Sequence, residues 1–173
     1  KLALFGDGIM AYIVYIMLKY DHPDLDLTVF GIDDHKLEAF KNAKTAKFEE
    51  YKGEKFDTLI EAVGGKFSAD AINNMIDLSI PGADLILMGV NEEKSPINTR
   101  LVLEKGLSLK GVTRSTKQDF EHVAKALNDK KVQEALSIMV LSENKINNVG
   151  DIYRCFEADI NNKKEIGKNL MHW

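Results

Sequence analysis

A glycine-rich turn near the amino terminus has the residue types and spacing that bind two linked phosphates. Gly6-Asp7-Gly8-Ile9-Met10-Ala11 fits the pattern G-x-G-x-x-G/A, between a predicted strand over Leu2–Phe5 and a predicted helix from about Ile9 to Tyr20. In this motif the first glycine permits a tight exit from the strand, the second lets a pyrophosphate approach the main chain, and the last small residue lets the helix pack on the sheet. The N–H groups at the helix start then face the phosphates. A turn that only connects a strand to a helix is the alternative, but the position of the motif favours a dinucleotide site.

The residues after the second predicted strand, Leu27–Phe30, bear on which nucleotide binds. An acid there binds the ribose hydroxyls of NAD, whereas its absence beside a cation makes room for the extra phosphate of NADP. The expected position, about 20 residues beyond the glycine loop, is Gly31, which favours NADP. However, Asp33 and Asp34 follow, and one of them can serve as the ribose acid or both can start a short helix as N-cap and first-turn charge. Lys36 is either the phosphate partner or a surface lysine, so the pattern favours NADP only slightly.

Small residues also end the next two strands along the chain. Gly64-Gly65 follows a predicted strand over Thr58–Val63, and Gly89-Val90 follows one over Ala83–Met88. A small residue at these points lets the nicotinamide and its ribose lie against the main chain, although ordinary turn chemistry explains each pair taken singly. Because the carboxyl ends of parallel strands share one edge of a sheet, their agreement favours a binding role.

Other candidate motifs do not carry chemistry. Tyr15 and Lys19 match the Y-x-x-x-K pair of short-chain dehydrogenases but lie in the first helix, and Tyr51 and Lys55 lie in a predicted loop, so both matches are interpreted as coincidence. Cys155 is expected in the core. The four histidines show no metal-ligand spacing: His22, His35, His122 and His172. The sequence therefore predicts a cofactor-binding cradle with no catalytic residue and no metal site of its own.

The length of the chain is enough for one domain with a sizeable core. The 173 residues carry a formal net charge of −4 and no basic block, which excludes a typical nucleic-acid interface. The longest apolar run, near Ile9 to Leu18, is too short to cross a bilayer. The single cysteine excludes an internal disulfide framework and makes the cytoplasm the default compartment. Because Lys1 opens directly into a strand, we expect residues 1–173 to be one dinucleotide-binding domain cut from a longer enzyme.

Alternating strands and helices predict an α/β fold of the Rossmann type. A doubly wound parallel six-stranded sheet in the order 3-2-1-4-5-6, with helices on both faces, is the natural topology. Besides the four strands already named, strands are expected over Thr45–Phe48 and Leu107–Val112, with a terminal strand over Asn169–Trp173. Pro81-Gly82 is interpreted as a turn. Further helices are predicted over 33–40, 68–78, 99–105, 117–128, 130–141 and 152–160.

The region from Gly82 to Gly111 resembles the coenzyme domain of zinc-dependent medium-chain alcohol and polyol dehydrogenases. A strand that ends in Gly89-Val90, followed by Lys105-Gly106-Leu107 and a strand that ends in glycine, is typical of that superfamily. Three segments resemble more specifically the ribulose-5-phosphate reductases (ribitol-5-phosphate dehydrogenases) of teichoic acid or capsule synthesis: Pro96-Ile97-Asn98-Thr99-Arg100, Val102-Leu103-Glu104-Lys105-Gly106-Leu107 and Thr113-Arg114-Ser115. The resemblance extends to Trp173 and covers essentially the whole chain.

The resemblance implies hydride transfer between NADPH, or NADH, and a ketose phosphate, with a catalytic zinc that polarises the carbonyl. The zinc ligands would belong to an amino-terminal catalytic domain outside this chain, so the fragment alone is expected to be inactive. Asp33-Asp34 departs from the basic or neutral residues of the reductases and leaves NADP against NAD open. The cofactor-binding residues that the resemblance implies follow the strand ends: Gly6, Gly8, Ile9 and Met10 at the pyrophosphate; Gly31, Ile32, Asp33 and Lys36 at the adenosine ribose; Val63, Gly64, Gly89, Val90, Arg114 and Ser115 toward the nicotinamide; and Lys168 reaching the pyrophosphate.

The resemblance also implies partners. The substrate would be a sugar or polyol phosphate, a homodimer would form through a sheet edge near Pro96 to Val112, and a cytidylyltransferase of the same pathway could associate with the enzyme. Neither nucleic acid nor membrane is expected. Another alcohol or polyol dehydrogenase of the superfamily, and a non-catalytic nucleotide-sensing module, stay open as alternatives.

Overall fold

Six parallel strands form one sheet, and the predicted fold class and strand order are confirmed. The computed structural model describes residues 1–173. The strands are β1 Leu2–Phe5, β2 Leu27–Phe30, β3 Lys44–Ala46, β4 Phe56–Glu61, β5 Ser79–Leu87 and β6 Ser108–Gly111. They lie in the order β3-β2-β1-β4-β5-β6, so β1 and β4 sit side by side at the point where the chain reverses its direction of winding.

Helices cover both faces of the sheet because the central strands are apolar on both sides. Leu4 and Val29 pack in a core shared with the first helix and the helix that begins at Lys130, whereas Ala3 and Leu85 pack in a second core shared with the helix that begins at Ser68. Alternate residues of a strand point to opposite faces, which explains why neighbours such as Ala3 and Leu4 enter different cores. The helices are α1 Ile9–Asp21, α2 Asp34–Leu37, α3 Ser68–Leu78, α4 Thr99–Lys105, α5 Lys117–Ala126, α6 Lys130–Ser137 and α7 Val149–Asn161. None of them is long and apolar enough to span a bilayer.

The predicted strand bounds were wrong by a few residues where two strands meet in an irregular register. β4 begins at Phe56 rather than Thr58, and β5 begins at Ser79 rather than Ala83. Phe56 pairs with Ser79, but the regular pairing of β4 with β5 resumes only at Thr58 and Asp84, so the register shifts between them. Pro81-Gly82 lies in this irregular part of β5, and Gly82 has a φ of 79°. The two residues thus interrupt the pairing within β5 instead of preceding the strand, because proline has no N–H to donate and glycine tolerates the positive φ.

A second, two-stranded parallel sheet lies near the carboxyl terminus, and only its terminal strand, expected over Asn169–Trp173, was predicted. The helix expected to reach Leu141 ends at Ser137, and the following residues form β7 (Val140–Lys145), which pairs with β8 (Lys168–His172). The polar sequence of β7 has no strand periodicity, so only the distant pairing partner defines it. The helix between them begins at Val149, earlier than predicted, because Asn148 and Asp151 form a capping box at its start.

The carboxyl end of α3 is held by a lysine from α4. The Lys105 ammonium group donates hydrogen bonds to the main-chain oxygens of Ile76, Asp77 and Ser79. Helix ends leave such carbonyls without partners, and a cation there also complements the helix dipole. Burial lowers the pKa of Lys105, and the charge of Lys55 lowers it further. Because α3 borders the cavity described below, this contact helps to fix one wall of the candidate site.

Replacement of Lys105 by methionine should destabilise the fold by about 1–3 kcal/mol, since it keeps the apolar stem but leaves the carbonyls unpartnered. Urea unfolding followed by circular dichroism measures the change. Lys110→Met is the control, because the Lys110 Nζ lies 2.9 Å from Asp84 Oδ1 in an exposed ion pair, which contributes about 0–1 kcal/mol. Equal effects of the two substitutions would contradict the capping role.

Candidate functional site

A cavity of about 390 Å³ opens at the carboxyl ends of the central strands. We call it the strand-end cavity. It lies beyond the ends of β1 and β4, where the chain reverses its direction of winding, and ligands bind at this point in open α/β sheets. Its walls come from the glycine loop after β1, the ends of β2 and β4, and one side of α3: Phe5, Gly6, Asp7, Gly8, Phe30, Gly31, Ile32, Phe48, Glu49, Ala62, Val63, Phe67, Asp70, Ala71 and Asn74.

Gly6 follows β1 and lies between the ends of β2 and β4, with no room for a side chain. Its N–H donates to Phe30 O at 2.8 Å, and its φ is 131°. A Cβ built on Gly6 would lie 3.0 Å from Ala62 O and 3.3 Å from the Cβ of Ala11. Only glycine adopts this conformation without strain, and only a small residue at position 11 leaves space for it. The loop is therefore drawn close to β4, and α1 starts directly at the edge of the sheet.

The first turn of α1 is left open to a ligand. Gly8 is its N-cap residue, no side chain caps the helix, and no acidic residue lies in its first turn. A Cβ at Gly8 would meet nothing within 4 Å, so the space that a side chain would fill is free. The unpaired N–H groups and the helix dipole make this position favourable for an anion.

Two aspartates accept hydrogen bonds from the main chain of the β2–α2 loop, each from different residues. Asp7 of the glycine loop accepts hydrogen bonds from Ile32 N at 2.7 Å and Asp33 N at 2.9 Å, both at Oδ2. Asp33 in turn caps α2, since its Oδ1 accepts from His35 N at 3.0 Å and from Lys36 N at 3.3 Å. Of the alternatives for Asp33, the N-cap is the one for which the structure provides contacts.

Neighbouring charges at this end are already paired. The Asp34 carboxylate lies 2.7 Å from Lys47 Nζ, and this hydrogen bond raises the pKa of Lys47. The His35 Nε2 lies 3.2 Å from Glu165 Oε1. Lys36 makes no ion pair within 4.0 Å, so among these side chains it is the cation that stays available to a ligand.

A fully buried carboxylate joins the ends of β4 and β5. Glu61 Oε1 accepts from Val63 N at 3.0 Å and Gly64 N at 2.7 Å, and Oε2 accepts from Gly89 N at 2.9 Å. A Cβ at Gly89 would overlap both carboxylate oxygens. The main chain is tied further by Gly65 N, which donates to Val90 O at 2.8 Å. These contacts place the two glycine-containing strand ends side by side.

The predicted site residues divide into those at the cavity and those around it. Gly6, Gly8, Gly31, Ile32 and Val63 line it. Ten others do not line it: Ile9 and Met10 in the first turn of α1; Asp33 and Lys36 at the start of α2; Gly64, Gly89 and Val90 in the two strand-end segments joined through Glu61; Arg114 and Ser115 in the exposed loop after β6; and Lys168 at the start of β8.

Two cations of the predicted set have distinctive surroundings. Arg114 is the one residue other than glycine with a positive φ, at 63°, in a backbone region that persists only where the surroundings determine it. Lys168 opens β8, and its Nζ lies 3.5 Å from Asp159 Oδ2. Lys168 is thus engaged with α7 rather than with the wall of the strand-end cavity.

The sequence analysis did not assign Asp7 or Glu61, although both carry signals. Asp7 lies inside the glycine motif, and Glu61 is the one charged residue in the apolar run Leu59-Ile60-Glu61-Ala62-Val63. An acid at the buried end of a strand indicates main-chain N–H groups that need an acceptor. The α3 residues of the wall, Asp70 and Asn74, carry no such signal.

The remaining candidate motifs are structural. Tyr15 is buried, and its hydroxyl oxygen accepts from Asn42 N at 3.2 Å, whereas Lys19 Nζ donates to Leu25 O at 2.8 Å. Cys155 is buried, as expected. No group of three His, Cys, Asp or Glu side chains is arranged to hold a metal ion. The residues of this chain therefore do not fit a zinc site.

Comparisons with known proteins identify close relatives of this chain. No protein-family model matches it. It is 36% identical over 173 residues to ribulose-5-phosphate reductase 1 of Staphylococcus aureus, which aligns with 98% of this chain and 50% of the reductase. The crystal structure of S. aureus TarJ in complex with NADPH has a TM-score of 0.93 and 35% identity, with 99% of this chain and 55% of TarJ covered. The chain thus spans about half the length of these relatives.

A more distant solved structure shows the fold alone. The 2R,3R-butanediol dehydrogenase from Bacillus subtilis has a TM-score of 0.80 at 14% identity, with 100% of this chain and 50% of that dehydrogenase covered. The shared architecture therefore extends well beyond the proteins that share its sequence features.

Replacement of Glu61 by glutamine should lower the free energy of unfolding by about 2–4 kcal/mol, because the amide NH₂ would face one of three buried N–H donors. Chemical unfolding at neutral pH measures this. Glu92→Gln, in the exposed loop after β5, should change stability by less than about 0.5 kcal/mol. A Glu61→Gln protein as stable as Glu92→Gln would show that the three hydrogen bonds do not hold the strand ends.

Proposed function

This chain is a homologue of the ribulose-5-phosphate reductases over the half of their length that it spans, and we propose that it is the NADPH-binding part of such a reductase. The reaction would reduce ribulose 5-phosphate to ribitol 5-phosphate. One observation carries the proposal: the open main-chain surface at Gly8 occurs in a chain that is 35% identical to a protein solved with NADPH bound.

The residues in and around the strand-end cavity suit the pyrophosphate and the adenosine half of a dinucleotide. The first turn of α1, at Gly6, Gly8, Ile9 and Met10, would hold the pyrophosphate through main-chain N–H groups. The β2–α2 loop, from Gly31 to Lys36, would hold the adenosine ribose, and Lys36 is the cation available to an additional phosphate. When bound, NADPH supplies the hydride, while this chain orients it.

The strand ends joined by Glu61 would receive the nicotinamide half of the cofactor. Val63, Gly64, Gly89 and Val90 present mainly backbone there, and Arg114 and Ser115 come from the loop after β6, the next strand of the sheet. We further propose that Lys168 contributes to the pyrophosphate end when its contact with Asp159 opens. The Lys168 side chain is exposed and its Nζ lies 3.5 Å from Asp159 Oδ2, and such an ion pair is weak in water.

The catalytic residues and any zinc would come from a separate amino-terminal domain. In support, α7 exposes an apolar row made of Tyr153, Phe156 and Ile160, and the β7–β8 sheet has only two strands, which is rarely stable alone. The proposed catalytic domain would cover these surfaces. Residues 1–173 would then form the dinucleotide-binding domain of the longer enzyme.

Self-association and compartment are proposals of the same kind. The edge strand β6 and the neighbouring side chains of Leu103 and Val112 are exposed, and a second copy could extend the sheet through this edge. The buried free thiol of Cys155 suits the cytoplasm. Association with a cytidylyltransferase stays a prediction that rests on the family resemblance.

Replacement of Gly8 by valine should weaken NADPH binding by roughly 100-fold or more, because the side chain would occupy the free space where phosphate approaches the main chain. Calorimetric titration of the full-length protein measures the affinity. Gly111→Val, at another glycine whose Cβ side is open, is the matched control and should bind as the wild type does. Wild-type affinity in Gly8→Val would refute the phosphate assignment.

The full-length protein should reduce ribulose 5-phosphate faster with NADPH than with NADH, by about tenfold or more in kcat/KM. Loss of absorbance at the reduced nicotinamide band measures the rate, and oxidation of ribitol 5-phosphate is compared with that of sorbitol and simple alcohols. Preference for sorbitol or an alcohol would identify another dehydrogenase of the superfamily. Cofactor binding without turnover of any of these compounds would favour a nucleotide-sensing module.

A further inference from the structure

We infer that Asp7 is a positioning residue for the adenosine end of the cofactor, an inference that rests on the proposed function. Its carboxylate lies at the wall of the strand-end cavity but points along that wall, toward the main chain of the next loop. Both hydrogen bonds end on one oxygen, Oδ2. Asp7 therefore joins the loop that would bind the pyrophosphate to the loop that would bind the adenosine ribose.

The side chain of Asp7 fills the space that a side chain at position 31 would need. A Cβ built on Gly31 would lie 2.8 Å from both Cβ and Oδ2 of Asp7, and equally close to Cδ2 of Leu37. A side chain at position 31, the position of the ribose acid in many dinucleotide-binding folds, is thus incompatible with the present place of Asp7. The carboxylate at this corner comes from the loop after β1, while the end of β2 is left bare.

The effect of Asp7 passes on to the residues that would select the cofactor. Asp7 holds Asp33 N, and the side chain of Asp33 holds the N–H groups of His35 and Lys36. The helix that follows has four residues, too few to be stable without such support. Ile32 is 82% exposed and contributes little packing to the loop. The position of Lys36, the cation available to an additional phosphate, thus depends on the carboxylate of Asp7.

Two substitutions separate hydrogen bonding from charge. Asp7→Asn keeps an oxygen that can accept both hydrogen bonds, whereas Asp7→Ala removes the acceptor. In the full-length enzyme we expect Asp7→Ala to raise the KM for NADPH about tenfold or more, with kcat changed less than about threefold, because the bound nicotinamide would react as before. Asp7→Asn should stay within about threefold of the wild type in both constants.

Amide hydrogen exchange provides a readout that does not depend on turnover. Exchange at Ile32 and Asp33 should be faster in Asp7→Ala and near wild type in Asp7→Asn, since these are the N–H groups that Asp7 protects. A purely structural role would instead lower kcat in proportion to the folded fraction and leave the KM for NADPH unchanged.

Distinct results would overturn the inference. A wild-type KM in Asp7→Ala, or an Asp7→Asn enzyme as impaired as Asp7→Ala, contradicts positioning through hydrogen bonds while leaving the reductase proposal intact. Failure of the wild-type protein to bind either NADPH or NADH overturns the proposed function, and the role of Asp7 at the adenosine end with it.

Discussion

The buried carboxylate of Glu61 is the contact on which the site most depends. The hydrogen bonds between parallel strands end at the carboxyl ends of the strands, which is where a ligand enters. The main-chain N–H groups that follow therefore need another acceptor. Glu61 accepts from three of them, and all three are main-chain groups of the segments after β4 and β5. The segments after β4 and β5 are thereby joined into one surface.

A second carboxylate performs the same task at the opposite end. Asp7 accepts from the main chain after β2, as Glu61 does after β4 and β5. Each acid requires a glycine beside it, since a Cβ at Gly31 or Gly89 would collide with the carboxylate. The glycines at these strand ends therefore make room for protein side chains as well as for a ligand. The same residue pattern in the sequence thus serves two different physical purposes.

The sequence predicts the sheet better than it predicts the site. Runs such as Leu2–Phe5 and Leu27–Phe30 are buried on both sides, so composition alone defines them, and the handedness of crossovers then leaves few possible topologies. β7 escapes prediction because its residues are polar and only pairing with β8 makes it a strand. Glycines indicate where the main chain is open to a ligand. The roles of Glu61 and Asp7 as acceptors cannot be predicted in the same way, because they depend on contacts between segments that are far apart in the sequence.

The placement of the acids also determines where a charged ligand can bind. The main-chain N–H groups of Ile32, Gly64 and Gly89 already donate to Asp7 and Glu61. Between them the first turn of α1 has no capping side chain and no acid, so its amides are the donors left for an anion. An extended molecule with linked phosphates near its middle fits these donors, and Lys36, which makes no ion pair, is the cation available to a further phosphate at the β2–α2 loop. A dinucleotide, with its linked phosphates flanked by two ribose groups, is such a molecule.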